Sequence, residues 1–410
     1  MEYQRHTLSN GIRIIHKPVK NQVAHCGVII NTGSRDEMEN EQGIAHFIEH
    51  TIFKGTQKRK AFHILSRLEN VGGELNAYTT KEETCIYASF LSPYYERSLE
   101  LFADISLNSI FPKAEIEKEK EVVIDEINSY RDNPAEEIFD EIEDLVFQGH
   151  SLGRNILGTK ELVRSFSRQN IFRFIKRTFN TEETVICSVG DIDFNKLVRL
   201  SEKYFGHAKA NPRGFKRPKF NSYAPKTQSF DKGMYQAHCI IANEAYDRQD
   251  KRRAPLVLLN NILGGPGLNT RLNMGIREKY GFCYNIESNY TQYSDTGIVS
   301  IYLGTDFDYL EKTIKLAHKE LKKLREQKLG SLQLQRAKQQ MIGQIAISQE
   351  SNVNELLSIG KSVLAYDKVE SIEQILKEIE GISAEQLLEV ANEVFDPKQL
   401  SLLIYNGHKS

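Results

Sequence analysis

The chain has 410 residues and a net charge of -1, with 40% apolar and 27% charged residues. That length exceeds one ordinary hydrophobic core, so two or more domains are expected. The balanced charge gives no global field for nucleic acid or an anionic membrane, and no apolar run reaches membrane-spanning length, so neither partner is expected.

Met1 to Asn10 is polar and lacks a basic region followed by an apolar core, so no signal peptide is expected. Cys26, Cys85, Cys187, Cys239 and Cys283 are scattered and form no C-x-x-C. They read as small buried hydrophobes in a reducing compartment, and a cytoplasmic location is expected.

Residues 11–16 and 23–32 are β-branched and read as strands. Ile44 to Phe53 follows between Gly43 and Gly55, with Ile44, Phe47, Ile48 and Ile52 at helical spacing. A second amphipathic helix runs from Ala61 to Val71, with Ile64, Leu65 and Leu68 inward, and Gly72-Gly73 stops it. Glu74 to Phe90 reads as a pair of strands. Pro93 and Pro112 open helices reaching about Ile110 and Tyr130. Residues 135–147 and 159–178 are helical, and Val185 to Val189 is a strand closed by Gly190-Asp191.

Periodicity fails between Asn211 and Gln228, where Pro212, Pro218 and Pro225 mix with basic residues. The run Arg213 to Arg217 reads as a solvated linker. Beyond it the pattern recurs at an offset of roughly 210 residues. Ala237 to Ile241 echoes Ala24 to Val28, Pro255 to Gly264 echoes the first helix, and Thr296 to Ser300 echoes Thr84 to Ala88. A final strand, Leu400 to Tyr405, echoes Val185 to Val189. The reading is an α+β protein of two homologous domains, each a mainly antiparallel β-sheet packed with α-helices. The boundaries are 1–210, a linker at 211–228, and 229–410.

The chemistry concentrates in His46-Phe47-Ile48-Glu49-His50. A helix advances about 100° per residue, so His46, Glu49 and His50 share the face opposite the apolar stripe. Two imidazoles one turn apart can reach one ion, an H-x-x-E-H pattern that mirrors the H-E-x-x-H zinc helix. Two histidines leave a zinc site short of a ligand. On the later helix, Ile116, Glu119, Val123, Glu126, Ile127 and Tyr130 share one face. Its two carboxylates lie on an otherwise apolar stripe, where each needs a partner or a metal. Spacing nominates Glu119 and Glu126 and does not choose between them; a snorkelling glutamate or an ion pair with arginine is the plainer alternative. In the second repeat Pro255, Leu258 and Leu259 stand where His46, Glu49 and His50 stood, so that half binds no metal there.

This arrangement, with Glu126 seventy-six residues beyond His50, resembles the M16 metallopeptidases. That is the family of the mitochondrial processing peptidase, pitrilysin and insulin-degrading enzyme. Gly72-Gly73-Glu74-Leu75-Asn76-Ala77-Tyr78-Thr79, the block His150 to Thr159, and Leu263-Gly264-Gly265 with Arg277 to Tyr284 are similar to family segments. In length the chain resembles the short two-domain members. The resemblance implies His46, His50 and Glu126 as ligands of one Zn2+ per chain, with Glu49 as general base on the zinc-bound water. It implies Glu119 as a supporting glutamate behind the ligands. Asn76 and Ala77 would lie on an edge strand that adds the peptide substrate as a further strand. Arg277 and Tyr284 would bind substrate from the non-metal half.

The expected activity is a zinc endopeptidase hydrolysing short or unfolded peptides in an enclosed chamber. A homodimer is expected, with Arg277 and Tyr284 supplied to the partner's zinc. The alternative is a silent or structural M16-like subunit of a hetero-oligomer, disfavoured because the whole metal motif is present.

Overall fold

The structure, a computed structural model, describes residues 3–407. Its residues group into two compact units, neither a continuous stretch of chain. Unit 1 takes Met1–Asn128, Arg154–Arg217 and Ser348–Val369; unit 2 takes Ser129–Gly153, Pro218–Ile347 and Glu370–Ser410. Beside boundaries at 1–210 and 229–410, the two units have traded segments across the linker.

Unit 1 is built on six strands: β1 (Gln4–Thr7), β2 (Arg13–Pro18), β3 (Val23–Ile30), β4 (Glu74–Thr79), β5 (Thr84–Leu91) and β6 (Thr184–Gly190). Their order is β1-β2-β6-β3-β5-β4. All neighbours are antiparallel except β2 and β6, which run parallel. Side chains alternate across the pleat. Cys26, Val28 and Ile30 of β3 face a core shared with helices α1 (Ile44–Thr51), α2 (Ala61–Glu69), α3 (Tyr95–Asn108) and α4 (Lys113–Arg131). Ile29 faces the other way. It packs with Ile15, Val185 and Cys187 against Leu356, Ile359 and Val363 of the helix Asn352–Tyr366. That helix comes from the far end of the chain and covers the back of the sheet. Gly360 faces Ile29 and Cys187 so closely that a Cβ would collide with the Ile29 side chain.

Unit 2 repeats the plan with β7 (Thr227–Met234), β8 (Gln236–Ala245), β9 (Cys283–Gln292), β10 (Gly297–Asp306) and β11 (Ser401–Gly407). The order β7-β11-β8-β10-β9 matches that of unit 1 without β1. The one parallel pair, β7 with β11, corresponds to β2 with β6. Cys239 and Ile241 of β8 face one core, while Ile240 and Ala242 face Ile138, Ile142 and Leu145. Those three belong to α5 (Pro134–Val146), which precedes the linker. The exchange is therefore reciprocal: each unit has the back of its sheet covered by a helix from the other half of the sequence.

The expected elements are present, and the duplicated α+β architecture is the observed one. Two readings need correction. Leu65 is 43% exposed while Ile64 and Leu68 are fully buried, because the apolar stripe of α2 is narrower than its leucine content implies. The basic run is not a solvated linker. The Arg217 guanidinium straddles the Asp36 carboxylate at 2.8 and 2.7 Å, and Arg213 donates to the Asn31 carbonyl at 2.7 Å. Asp36 and Glu82 are buried acids that need cations, and residues 213–217 provide them. The five cysteines are free and buried, as expected. Among the described residues no helix is long and apolar enough to cross a membrane.

His16 on β2 is fully buried, with Nδ1 3.0 Å from the Ser188 hydroxyl, which also lies 3.0 Å from the Tyr95 hydroxyl. Burial pushes its pKa from 6.5 down to about 4. The native chain thus refuses a proton that the unfolded chain accepts, so stability falls as pH drops from 6.5 towards 4. The share of this one group reaches at most about 1.4 kcal/mol per pH unit. Urea unfolding across that range should show a shallower acid slope for His16→Asn than for the unmodified chain.

Candidate metal centre

The helix α1 starts where the chain turns at Gly43, whose φ is +91°. Its first amides are not left to solvent. The Glu37 carboxylate accepts the Gly43 N–H at 3.0 Å and the Ala45 N–H at 2.9 Å. This satisfies donors that a helix start leaves open, while burial pushes the Glu37 pKa from 4.5 up to about 8. Arg154 donates to the Glu37 carbonyl at 3.0 Å, and Lys81 donates to the Arg154 carbonyl at 2.6 Å. Ion pairs of Arg217 and Arg213 with Asp36, and of Arg177 with Glu41, fasten the same approach segment. The helix then buries Ile44, Phe47 and Ile48 under the sheet.

That packing leaves His46 and His50 on the opposite side, with ring centroids 4.5 Å apart. Facing them is α4, which buries Ile116, Val123 and Ile127 in the same core and so turns Glu119 and Glu126 towards α1. Nε2 of His46 lies 3.7 Å from Oε1 of Glu126, and Nε2 of His50 lies 3.4 Å from Oε2. Ligand atoms of His46, His50 and Glu126 all fall within 4.8 Å of one another, the one such three-residue group among the described residues.

Glu119 has a different place. Its Oε1 lies 3.0 Å from Nδ1 of His50, behind the ring, and its Oε2 lies 2.8 Å from the Lys54 ammonium. A carboxylate on Nδ1 fixes the tautomer that leaves Nε2 free for a metal. The ambiguity between the two glutamates is thereby resolved in geometry. Glu126 joins the convergent group, and Glu119 orients a member of it.

The electrostatics fit a cation. Burial pushes His46 down to about 4, with His50 beside it adding to the effect. Burial would also lower His50, but hydrogen bonds with Glu119 and Glu126 outweigh it and hold His50 up at about 9. Glu126 lies below the ordinary carboxylate range because His50 hydrogen-bonds to it and His46 adds attraction. For Glu119, burial works upward, and the bonds from His50 and Lys54 prevail and lower it. The two acids that keep a proton on His50 are charges that a divalent ion would satisfy instead. The group facing Oε2 of Glu126 is Nε2 of His50, at 3.4 Å. Two imidazoles and one carboxylate match the donor set of a catalytic zinc site.

Glu49 sits between the two histidines in sequence and is half-buried. Burial raises its pKa, and the neighbouring Glu126 adds to this against the pull of Thr79 and His50. It therefore belongs to the same cluster as a carboxyl group biased towards holding a proton, as a proton carrier requires.

The remaining expected residues lie on defined elements. Asn76 and Ala77 are on β4, which pairs with β5 on one side only and ends the sheet. In unit 2, Arg277 lies on a short π-helical turn, Asn273–Glu278, and is exposed. Tyr284 is the second residue of the edge strand β9, is 61% exposed, and donates to Asp306 at 3.2 Å. The second-repeat counterparts Leu258 and Leu259 are buried and apolar, on the helix Arg253–Gly264. Sequence reasoning missed Glu37 and Lys54. An acid six residues before a helix-opening glycine and a lysine one turn past His50 were the only signals, and both are weak.

Residues 13–160 match the family model described as insulinase, peptidase family M16, and residues 165–341 match that of the peptidase M16 inactive domain. A Bacillus subtilis protein named uncharacterized zinc protease YmxG is 33% identical over 99% of both chains. The chain belongs to peptidase family M16. A Rickettsia felis protein also named a zinc protease is 33% identical, covering 97% of this chain and 96% of its own. Among solved structures, a protease from Helicobacter pylori superposes with a TM-score of 0.90 at 20% identity, covering 99% of each chain. A Pseudomonas fluorescens structure described as a peptidase M16 inactive domain gives 0.93 at 19% identity, covering 100% of this chain and 99% of that one. These two show the fold. The chain is a short, two-domain member of the family, and these two relatives carry the name uncharacterized zinc protease.

The family block around Gly158 has a local reason. Gly158 has φ +74°, and a Cβ there would collide with the Gln42 carbonyl and press on Gly43 at the entry to α1. Gly149 has φ +75° with open space around it. Both alanine variants should lose about 1–2 kcal/mol for the left-handed backbone. Gly158→Ala should lose more, by urea unfolding, and should also weaken zinc binding, whereas Gly149→Ala should not.

Proposed function

We propose that this M16 protein is a zinc-dependent endopeptidase that cleaves short or unfolded peptides, with one zinc held by His46, His50 and Glu126. The observation that carries the reading is the convergence of those three side chains beside a protonatable Glu49. Zinc, when bound, supplies Lewis acidity towards a peptide carbonyl and makes a water molecule more acidic. Glu49 accepts the proton of the attacking water and delivers it to the departing amine. Glu119 holds the His50 ring in register throughout.

The peptide adds as a strand along β4, whose outward backbone groups have no partner within the sheet. Recognition through main-chain hydrogen bonds makes side-chain preference loose, which suits unfolded substrates. Tyr284 donates a hydrogen bond to the developing oxyanion and Arg277 to a substrate carbonyl. In the proposed assembly, a cytoplasmic homodimer, each chain provides these two residues to its partner's zinc within a chamber that admits only unfolded segments.

Purified protein should contain about one zinc per chain, lost to chelators and regained on dialysis against the metal. Glu49→Gln should keep that zinc and reduce cleavage of an unfolded reporter peptide by at least about a hundredfold. A wild-type chain that binds zinc and cleaves nothing would point to a silent subunit instead. Mixing Glu49→Gln chains with Arg277→Ala chains tests the shared site. Recovery of activity in the mixture, absent from either variant alone, is expected; no recovery would assign Arg277 to its own chain's zinc or to neither.

A further inference from the structure

We infer that Lys54 is a positioning residue for the metal centre, acting through Glu119 on His50. This rests on the zinc reading above and extends it to a side chain that touches no ligand. Glu119 is almost wholly buried and has two oxygens to satisfy. One lies at Nδ1 of His50 and the other at the Lys54 ammonium, 2.8 Å away. The Lys54 side chain is 30% exposed, and Glu119 is its one ion-pair partner among the described residues.

Lys54 is itself held in place. Its amide donates to the Thr51 carbonyl at 3.0 Å, in the turn that closes α1. The turn is pinned from both sides. The Ser109 hydroxyl donates to the Ile52 carbonyl at 3.0 Å, and the Ile110 amide donates to the Gly55 carbonyl at 3.0 Å. Just beyond, Thr56 and Arg59 both bind Asp104, at 2.8 and 2.6 Å. The ammonium therefore projects from a fixed base, four residues past His50 in the turn that follows the helix.

The consequence is geometric. With only His50 to hold it, the Glu119 carboxylate could rotate about its last torsion, and its second oxygen would remain buried without a partner. Lys54 fixes the carboxylate plane by binding the far oxygen, which holds the near oxygen at Nδ1 of His50 and so keeps the Nε2 edge of the ring towards Glu126. The chain Lys54–Glu119–His50 is a three-member support of which only the last touches the metal.

The test is zinc affinity, read by competition with a chromogenic chelator, independent of peptidase activity. Lys54→Met keeps length and removes the charge, and should weaken zinc binding about tenfold, at the lower end of effects for groups behind a ligand. Lys54→Arg should restore binding to within about twofold, since a guanidinium also pairs with a carboxylate. In a Glu119→Gln background, Lys54→Met should change nothing further. Equal zinc affinity for wild type and Lys54→Met would overturn the inference, as would the same tenfold loss in the Glu119→Gln background. Thermal unfolding of the zinc-free variants checks the fold; should Lys54→Met unfold, Lys54→Gln carries the same comparison. Absence of zinc binding by the wild type would instead defeat the zinc reading itself, so the two failures are distinct.

Discussion

A carboxylate placed on an apolar helix face must find a cation or a donor, and α4 carries two of them. Ile116, Val123 and Ile127 commit that face of α4 to the core. Glu119 is drawn in with it and must be satisfied where it stands, while Glu126, further along the same face, keeps 41% of its side chain exposed. Among the described residues the ion-pair partners that reach them are His46, His50 and Lys54, all on or just after α1. Hydrophobic packing thus fixes the spacing of the two helices, and the burial penalty makes their polar residues converge.

The approach to α1 obeys the same rule. Glu37, Asp36, Glu41 and Glu82 are all buried, and each is answered by backbone amides or arginines. The counterions of Asp36 and Glu82 come partly from residues 213–217, far along the sequence. Besides its ion pairs at the Asp36 carboxylate, Arg217 donates to two groups of unit 1, the Asn31 and Glu82 carbonyls. A buried pair of this kind contributes little net stability, but losing one partner is costly because the other charge is stranded. Its effect is to fix where the zinc helix begins.

Much of this was legible in the sequence, for particular reasons. His46, Glu49 and His50 share a face by arithmetic alone, and Glu119 and Glu126 stand out because an apolar stripe rarely carries acids. Spacing did not choose between the two acids, since both lie on the same stripe; the family resemblance pointed to Glu126, and in the fold the two differ in depth and neighbours. Lys54 and Glu37 were not legible. Each acts through one tertiary contact, and a lysine after a helix or an acid in a loop carries no period. Arg213 and Arg217 were misread for the converse reason: charge beside proline looks solvated until the buried acids that require it are seen. The helices 134–146 and 352–366 show the limit most clearly. Amphipathic spacing says that a helix has an apolar face, and it does not say which sheet that face will cover.

The reciprocal exchange of those two helices has a consequence for how the protein comes to exist. Ile29, Val185 and Cys187 sit at the centre of the metal-bearing unit, yet their cover arrives with Leu356, Ile359 and Val363. As the chain leaves the ribosome, the first sheet can pair its strands well before the helix that seals its back has been made. During that interval an apolar sheet face is open to water and to other chains, the circumstance in which large proteins go astray. The final closure joins residues more than three hundred positions apart, which places it among the slow, late steps of folding. The half that carries the H-x-x-E-H motif is thus finished by the half that lacks it, and cutting the gene at the linker would separate a candidate site from part of its own core.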